Sequence, residues 1–372
     1  MTFMRGTLIK TGILPLAAAL AAGSVGHAAL SPLDRLSSDV LDTLPPSARV
    51  SGTPGKMTIQ SSSCRSLPTE NVRRRIVDAA VQEWGYFGFS VVDQTTVYAT
   101  YPGAPWALNR PPRLGYRESA RVADSIAGYW TVTSDGGWIL ERQNRAWNGP
   151  SGAGARWRDP WSAAFISWVM CEGGLGESSQ FRRAIAHHVY IDQAIRARDE
   201  GEPLAAFEAY DVGEQTILPG DMVCTAHRAA YHTLDERRRQ LGIGVRSHCD
   251  IVVQIDDVNE RILVIGGNVR GSVRLKLWPA ERNRQQMLLP MDQSMISGGR
   301  AVFAHLKLRA EPIEPDALDN SPTIKALNER YEEPGWLQLA TAGRNADIED
   351  YGRLWPVSTS FGDLLHSINT SP

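Results

Sequence analysis

Three polar residues, spread over about a hundred positions, have the types that acyl-transfer chemistry needs. Ser162 stands at the start of an apolar segment, His248 at the entrance of a β-rich segment, and Asn268 in the Gly266-Gly267-Asn268 run that follows. A hydroxyl, an imidazole and a residue that orients the imidazole form the usual nucleophile–base–orienter set of serine and cysteine hydrolases. Asp250 competes with Asn268 for the third role. It lies two residues after His248 on one expected strand, so both side chains point to the same face. Backbone N–H groups around Trp161 and Ser162 then face a developing oxyanion, because a helix start carries unpaired donors and a favourable dipole. His188 is a further substrate-binding candidate. No G-x-S-x-G, H-E-x-x-H or Walker-type loop occurs, so nucleophile-elbow, zincin and P-loop chemistries have no motif here. No metal or other cofactor is expected. A cluster of His188, His227 and His248 has no spacing that fixes a metal geometry, and no C-x-x-C is present.

Each of these residues depends on an element to position it. Asp159-Pro160-Trp161-Ser162 reads as a helix start, with Asp159 as N-cap and Pro160 in the first helical position. Phe165, Trp168 and Val169 recur at helical spacing, and Gly173-Gly174 supplies a left-handed stop. Earlier helices are expected at Thr69–Trp84, capped by Thr69 and ended by Gly85, and at Arg117–Trp130. A longer one is expected at Ser178–Arg198, where His188 and Asp192 stand four apart, and a polar one at Tyr231–Leu241. The clusters Arg73-Arg74-Arg75 and Arg237-Arg238-Arg239 read as solvated helix faces, and Glu172 as a solvated helix end.

The last third changes period. Met222–Cys224, Asp250–Ile255, Arg261–Ile265, Ser272–Trp278 and Ala301–Leu308 read as strands, with Arg274 and Lys276 on a half-exposed face. A further short strand is expected at Thr96–Tyr101. Helices followed by a meander of strands give an α+β fold with an antiparallel sheet.

The ends are read separately. Arg5 and Lys10, the apolar run Ile13–Ala22 and the small residues at Gly26-His27-Ala28 form a signal-peptide pattern over residues 1–28. Residues 29–67 read as a flexible lead-in, 68–310 as the folded domain, and 311–372 as a poorly packed tail with a short helix near Ile324–Arg330. No later run is long enough to span a membrane, so the protein is expected to be exported, periplasmic or secreted, with no integral membrane segment after cleavage. In that oxidising compartment four cysteines allow two disulfides. Cys224 and Cys249 end and begin successive strands and are paired on that ground, which leaves Cys64 with Cys171. A net charge of −2 over 372 residues gives no nucleic-acid signature.

Several of these segments, in this order, resemble one family group. Asp159-Pro-Trp-Ser-Ala-Ala-Phe-Ile-Ser-Trp-Val-Met is similar to the nucleophile helix of CHAP and NlpC-type papain-like cell-wall peptidases. Pro219-Gly-Asp-Met-Val, Ser247-His-Cys-Asp-Ile-Val-Val and Ile265-Gly-Gly-Asn resemble their later motifs. The run from about Arg73 to Leu308 resembles the bacterial domain-of-unknown-function family numbered 2272, which stands near those peptidases. The resemblance implies papain-like helices packed on an antiparallel sheet, and a peptidoglycan amidase or endopeptidase using Ser162, His248 and Asn268. Its partner would be peptidoglycan or a cell-wall peptide. The departure is Ser162, which stands where the peptidases carry cysteine. A hydroxyl is far more basic than a thiol, so a helix dipole cannot ionise it. The alternative is therefore an inactive relative that binds a wall peptide or a partner protein in the same cleft.

Overall fold

A helix whose residues are apolar on nearly every side has to be buried from every side. That rule places the segment after Trp161 at the centre of the molecule. In the computed structural model, which describes residues 32–68, 70–95, 112–226, 231–291 and 300–332, every residue from Ala163 to Glu172 is buried. In chain order the helices are α1 (Val72–Tyr86), α2 (Tyr116–Arg121), α3 (Ala123–Trp130), α4 (Gly136–Trp147), α5 (Ser162–Glu172), α6 (His188–Glu200), α7 (Leu234–Arg238) and α8 (Pro322–Glu332). The strands are β1 (Val50–Ser51), β2 (Thr58–Ile59), β3 (Val91–Asp93), β4 (Phe207–Tyr210), β5 (Met222–Ala226), β6 (Ser247–Asp256), β7 (Arg261–Val269), β8 (Ser272–Arg282), β9 (Leu288–Pro290) and β10 (Val302–Leu308).

The main sheet runs β3-β8-β7-β6-β5-β10-β4, with β9 on the edge of β8. The chain is thus a mixed α+β fold. All pairings in this sheet are antiparallel except β3 with β8, which is parallel. Successive side chains of a strand alternate between faces. Cys249, Ile251 and Val253 of β6 accordingly join the large core under the helices, while Val252 joins a smaller cluster on the other face with Ile262, Val264 and Trp278. Helix α5 packs against α1, α3, β6 and β7. Its close approach to the sheet depends on Gly267, where an added Cβ would lie 2.5 Å from Cβ of Phe165.

Several expectations are corrected by contacts that one-dimensional patterning does not record. The lead-in is held from residue 32 onward. Arg35 pairs with buried Glu83, β1 and β2 form a hairpin, and Arg49 reaches Glu172 at 2.5 Å. Glu172 is therefore a buried ion-pair partner and not a solvated helix end. The first part of the expected tail folds too: Ala317, Leu318, Ile324 and Leu327 are buried, and α8 packs against α1. Two members of the arginine clusters are interior. Arg73 donates to Asp221, and to the carbonyls of Pro219 and Leu308, while Arg237 forms a forked pair with Asp192. That pair takes Asp192 away from His188. Arg274 and Lys276, expected on a half-exposed face, are both engaged by polar partners described below.

Boundaries also move. Helix α1 begins at Val72 after Asn71, and Gly85 lies inside it. The expected Arg117–Trp130 helix is interrupted at Val122. The expected Ser178–Arg198 helix starts only at His188. Gln193 hydrogen-bonds Ser178, Ser179 and Arg182, and Ser167 pins Ala184, so those residues fold back on the helix instead of extending it. Strands β3 and β4 had no sequence signal. Thr69, the Thr96–Tyr101 strand, His227 and the signal-peptide segment lie outside the described residues. Both cysteine pairs are disulfide-bonded, Cys64–Cys171 and Cys224–Cys249, the second between directly opposed residues of β5 and β6.

A further buried carboxyl is that of Asp78. Burial pushes Asp78 on α1 up to about 7, with Arg74 opposing, and its Oδ1 has no hydrogen-bond partner. A carboxyl whose folded pKa exceeds its unfolded value near 3.8 favours folding in its protonated form. That contribution is complete below pH 3.8 and is lost as pH rises towards 7. Asp78→Asn is therefore expected to be near neutral at pH 4 and stabilising by up to about 4 kcal/mol at pH 8, at 1.36 kcal/mol per pKa unit. Urea midpoints at the two pH values measure this, and equal shifts at both would refute it.

Candidate active site

Helix α5 starts at Ser162, two residues later than its sequence suggests, and Asp159 does not cap it. The Asp159 carboxylate takes a hydrogen bond from Arg142 at 2.6 Å. Trp161 occupies the N-cap position and contributes no side-chain cap. Its indole is buried, stacked on Tyr129 and tilted against Phe87. The first-turn N–H groups at Ser162 therefore lack a capping side chain, as an oxyanion-binding helix start requires.

The Ser162 hydroxyl meets an imidazole, and it is that of His187. Oγ lies 2.7 Å from His187 Nε2. His187 immediately precedes α6 and is buried. Its other nitrogen, Nδ1, faces the Tyr190 hydroxyl and, at 3.2 Å, the backbone N–H of Cys249. A backbone N–H can only donate, so Nδ1 must accept and the proton of neutral His187 resides on Nε2. The His187 ring thus donates its N–H to Ser162 Oγ. Burial, reinforced by His248, holds the His187 pKa well below the ordinary histidine value and keeps the ring neutral. Burial likewise raises Tyr190, so its hydroxyl keeps its proton.

His248 stands beside this pair, its ring edge-to-face with His187 at 5.2 Å between centroids. Its Nε2 hydrogen-bonds Asp250 Oδ1 at 3.0 Å, as the two-residue spacing on one strand anticipates. Asp250 is fully buried, and its other oxygen accepts from Lys276 Nζ at 2.8 Å. Burial alone would raise the Asp250 carboxyl. Lys276 and His248 outweigh it and hold the group well below the carboxylate range. Burial pushes His248 down, with Asp250 opposing and Lys276 assisting. His248 is therefore neutral at pH 7, with its Nε2–H directed to Asp250, which leaves the ring's lone pair on Nδ1. Gly266 on β7 makes room for the pair. A Cβ there would come within 1.9 Å of Asp250 Oδ1 and 3.0 Å of His248 Nε2.

The structure thus brings Ser162, His248 and Asp250 into one neighbourhood through His187. Asn268 lines the adjoining cleft in a left-handed conformation (φ 58°), and no hydrogen bond joins it to either histidine. His188 heads α6, half-buried, with Nδ1 unpartnered. Sequence reasoning missed His187, Tyr190 and Lys276. The His187-x-x-Tyr190 spacing was an available signal, hidden because both residues appeared to lie inside a longer helix. Among the described residues, no group of three or more His, Cys, Asp or Glu side chains is disposed to hold a metal ion.

Comparison with known proteins adds one relationship. No curated protein and no solved structure matches the chain. A family model described as uncharacterized protein conserved in bacteria, DUF2272, matches residues 118–308, more than half of the sequence. The match starts later than the Arg73 boundary expected from the resemblance. It spans Ser162, His187, His248, Asp250 and Asn268 and ends at the last residue of β10, and the chain belongs to the DUF2272 family.

Proposed function

We propose that this protein is an exported hydrolase of amide or ester bonds, with peptidoglycan peptides as substrate, on a plan resembling the CHAP and NlpC-type papain-like peptidases. One observation carries the reading. A serine hydroxyl at an uncapped helix start is fixed by a neutral imidazole, next to a second imidazole backed by a buried carboxylate. Ser162 Oγ is the nucleophile. His187 donates to Oγ and so turns the hydroxyl hydrogen away from itself. His248 accepts that proton on Nδ1 and returns it to the leaving group, while Asp250 fixes its tautomer and stabilises its charged form. First-turn N–H groups after Trp161 bind the oxyanion. The two disulfides suit an oxidising compartment, and no helix among the described residues is long and apolar enough to cross a membrane.

A second reading, a non-catalytic cleft that binds a wall peptide or a partner protein, is favoured by the Cys249 N–H on His187 Nδ1. That contact makes the imidazole nearest Ser162 a donor and not a base. Incubation with purified peptidoglycan followed by mass analysis separates the two. The hydrolase releases soluble fragments, and Ser162→Ala abolishes release; fragments from Ser162→Ala would remove Ser162 from the mechanism. His187→Gln keeps an N–H for Oγ and is expected to retain activity within about tenfold, whereas His248→Gln is expected to lose at least about a thousandfold, the scale of a triad histidine. The reverse order would make His187 the base.

A further inference from the structure

Next to the helix start is a cleft of about 340 Å³ whose walls are unusually cationic. Arg113, Arg156, Arg158 and Arg270 line it, against a single carboxylate, Asp159, which Arg142 already engages. Pro160 and Trp161, the two residues before Ser162, form part of the same wall, as does Asn268. The remainder is apolar, with Leu114, Ile126 and Trp157. The volume is that of a small-ligand site, since such pockets run from about 300 to 1,000 Å³.

Two further observations show that positive charge is concentrated here at a cost to the chain. Arg274 is buried, and among the described residues its guanidinium donates to the carbonyls of Val269 and Pro112 and to Ser90 Oγ, with no carboxylate among these partners. Burial, and then the neighbouring Arg270, lower it to about 10. Arg270 itself occupies the first central position of the two-residue turn joining β7 to β8, with φ 58°, and Gly271 follows at φ 85°. Such a turn favours Asn or Gly where Arg270 stands, because a larger side chain is strained at positive φ.

We infer that this cleft binds a free carboxylate of the substrate, a short peptide or acylated amino acid whose aliphatic body lies on Leu114, Ile126 and Trp157. The guanidinium fork matches a carboxylate in two parallel hydrogen bonds, and the cleft supplies several forks and no unpaired acid. The carboxylate, as opposed to another oxyanion, rests on the proposed acyl-transfer reading, because Pro160 and Trp161 run from this wall directly into Ser162. Specificity for a peptide end then follows: a carboxylate held here sets the register of the bond presented to Ser162.

The test measures binding apart from turnover, using Ser162→Ala protein, so that failure of hydrolysis and failure of the cleft are separate results. Calorimetric titration with N-acetyl-alanyl-alanine, its C-terminal amide and inorganic phosphate provides the three arms. The acid is expected to bind at least tenfold tighter than the amide and tighter than phosphate. Arg156→Gln/Arg158→Gln, at two exposed positions, is expected to remove at least tenfold of that affinity without lowering Tm. Arg270→Asn is expected to weaken binding as well. Equal binding of acid and amide, no binding of either, or an affinity unchanged in the double variant overturns the inference. Tighter binding of phosphate overturns the carboxylate assignment. Binding of the acid by a protein that releases nothing from peptidoglycan would leave the cleft standing and the hydrolase reading refuted.

Discussion

Asp250→Asn is expected to lower turnover by about a thousand- to ten-thousandfold while substrate binding changes little, the scale seen when a triad carboxylate is exchanged for an amide. The Asp250 carboxylate can only accept, and that fixes the His248 tautomer with its N–H on Nε2 and a lone pair on Nδ1. An amide at this position offers an N–H in place of one acceptor and permits the wrong tautomer. The pH profile separates this from a loss of fold. Activity requires neutral His248, so it is present above the His248 pKa and lost as pH falls through it. Burial already sets that pKa below the ordinary value of about 6.5, with Asp250 holding it up. Removing the negative charge lowers it further, since Lys276 remains, and the acidic limb moves to lower pH as the plateau falls. A plateau within tenfold of wild type, or a limb displaced to higher pH, would exclude the His248–Asp250 pair from proton transfer. Lys276 is the companion case. Lys276→Met strips Asp250 of its cation, raises the carboxyl towards its ordinary range, and is expected to destabilise the fold by about 3–5 kcal/mol, the cost of stranding one member of a buried ion pair.

The legible parts of this molecule were those in which spacing alone fixes geometry. His248 and Asp250 share a face because they are two apart on a strand, and the strand pattern after residue 250 was strong enough to place them. Cys224 and Cys249 are paired in the sequence by their place on successive strands, and in the sheet they are directly opposed across β5 and β6. Gly266-Gly267 looked like a turn. In the sheet these residues are close-approach positions, one for the His248–Asp250 pair and one for Phe165. The parts that were not legible depend on long-range charge. Arg73, Glu172, Arg237 and Lys276 each looked solvated by local pattern, and each is buried or nearly so against a partner tens to more than a hundred residues away. Local pattern cannot register such a partner. The same limit explains His187. Its role follows from a hydroxyl 25 residues earlier and a backbone amide 62 residues later. The helix starts two residues past the expected position with no capping side chain, and the carboxylate expected as its cap, Asp159, pairs with Arg142.

The two disulfides are expected to fail in different ways, and the difference follows from what each holds. Cys64–Cys171 closes a separation of 107 residues and ties the lead-in to the far end of α5, where Arg49 also grips Glu172. On the chain-entropy account a loop of that length is worth about 5 kcal/mol, against about 3.5 kcal/mol for the 25-residue separation of Cys224–Cys249. Cys64→Ser/Cys171→Ser should therefore lower Tm the more. Yet Cys171 is nine residues, two and a half helical turns, from Ser162, so turnover per folded molecule should be close to wild type. Cys224→Ser/Cys249→Ser should cost less stability and more activity. Cys249 is flanked by His248 and Asp250, and its backbone N–H fixes the His187 ring that holds Ser162. Loosening β6 at that position releases both imidazoles together. Thermal melts and peptidoglycan release measured on the two double variants below their melting temperatures test the separation. If the Cys64/Cys171 variant proved the less active of the two at equal folded fraction, the clamp on the far end of α5 would have to reach the nucleophile. The division between a stabilising disulfide and a site-positioning one would then fail.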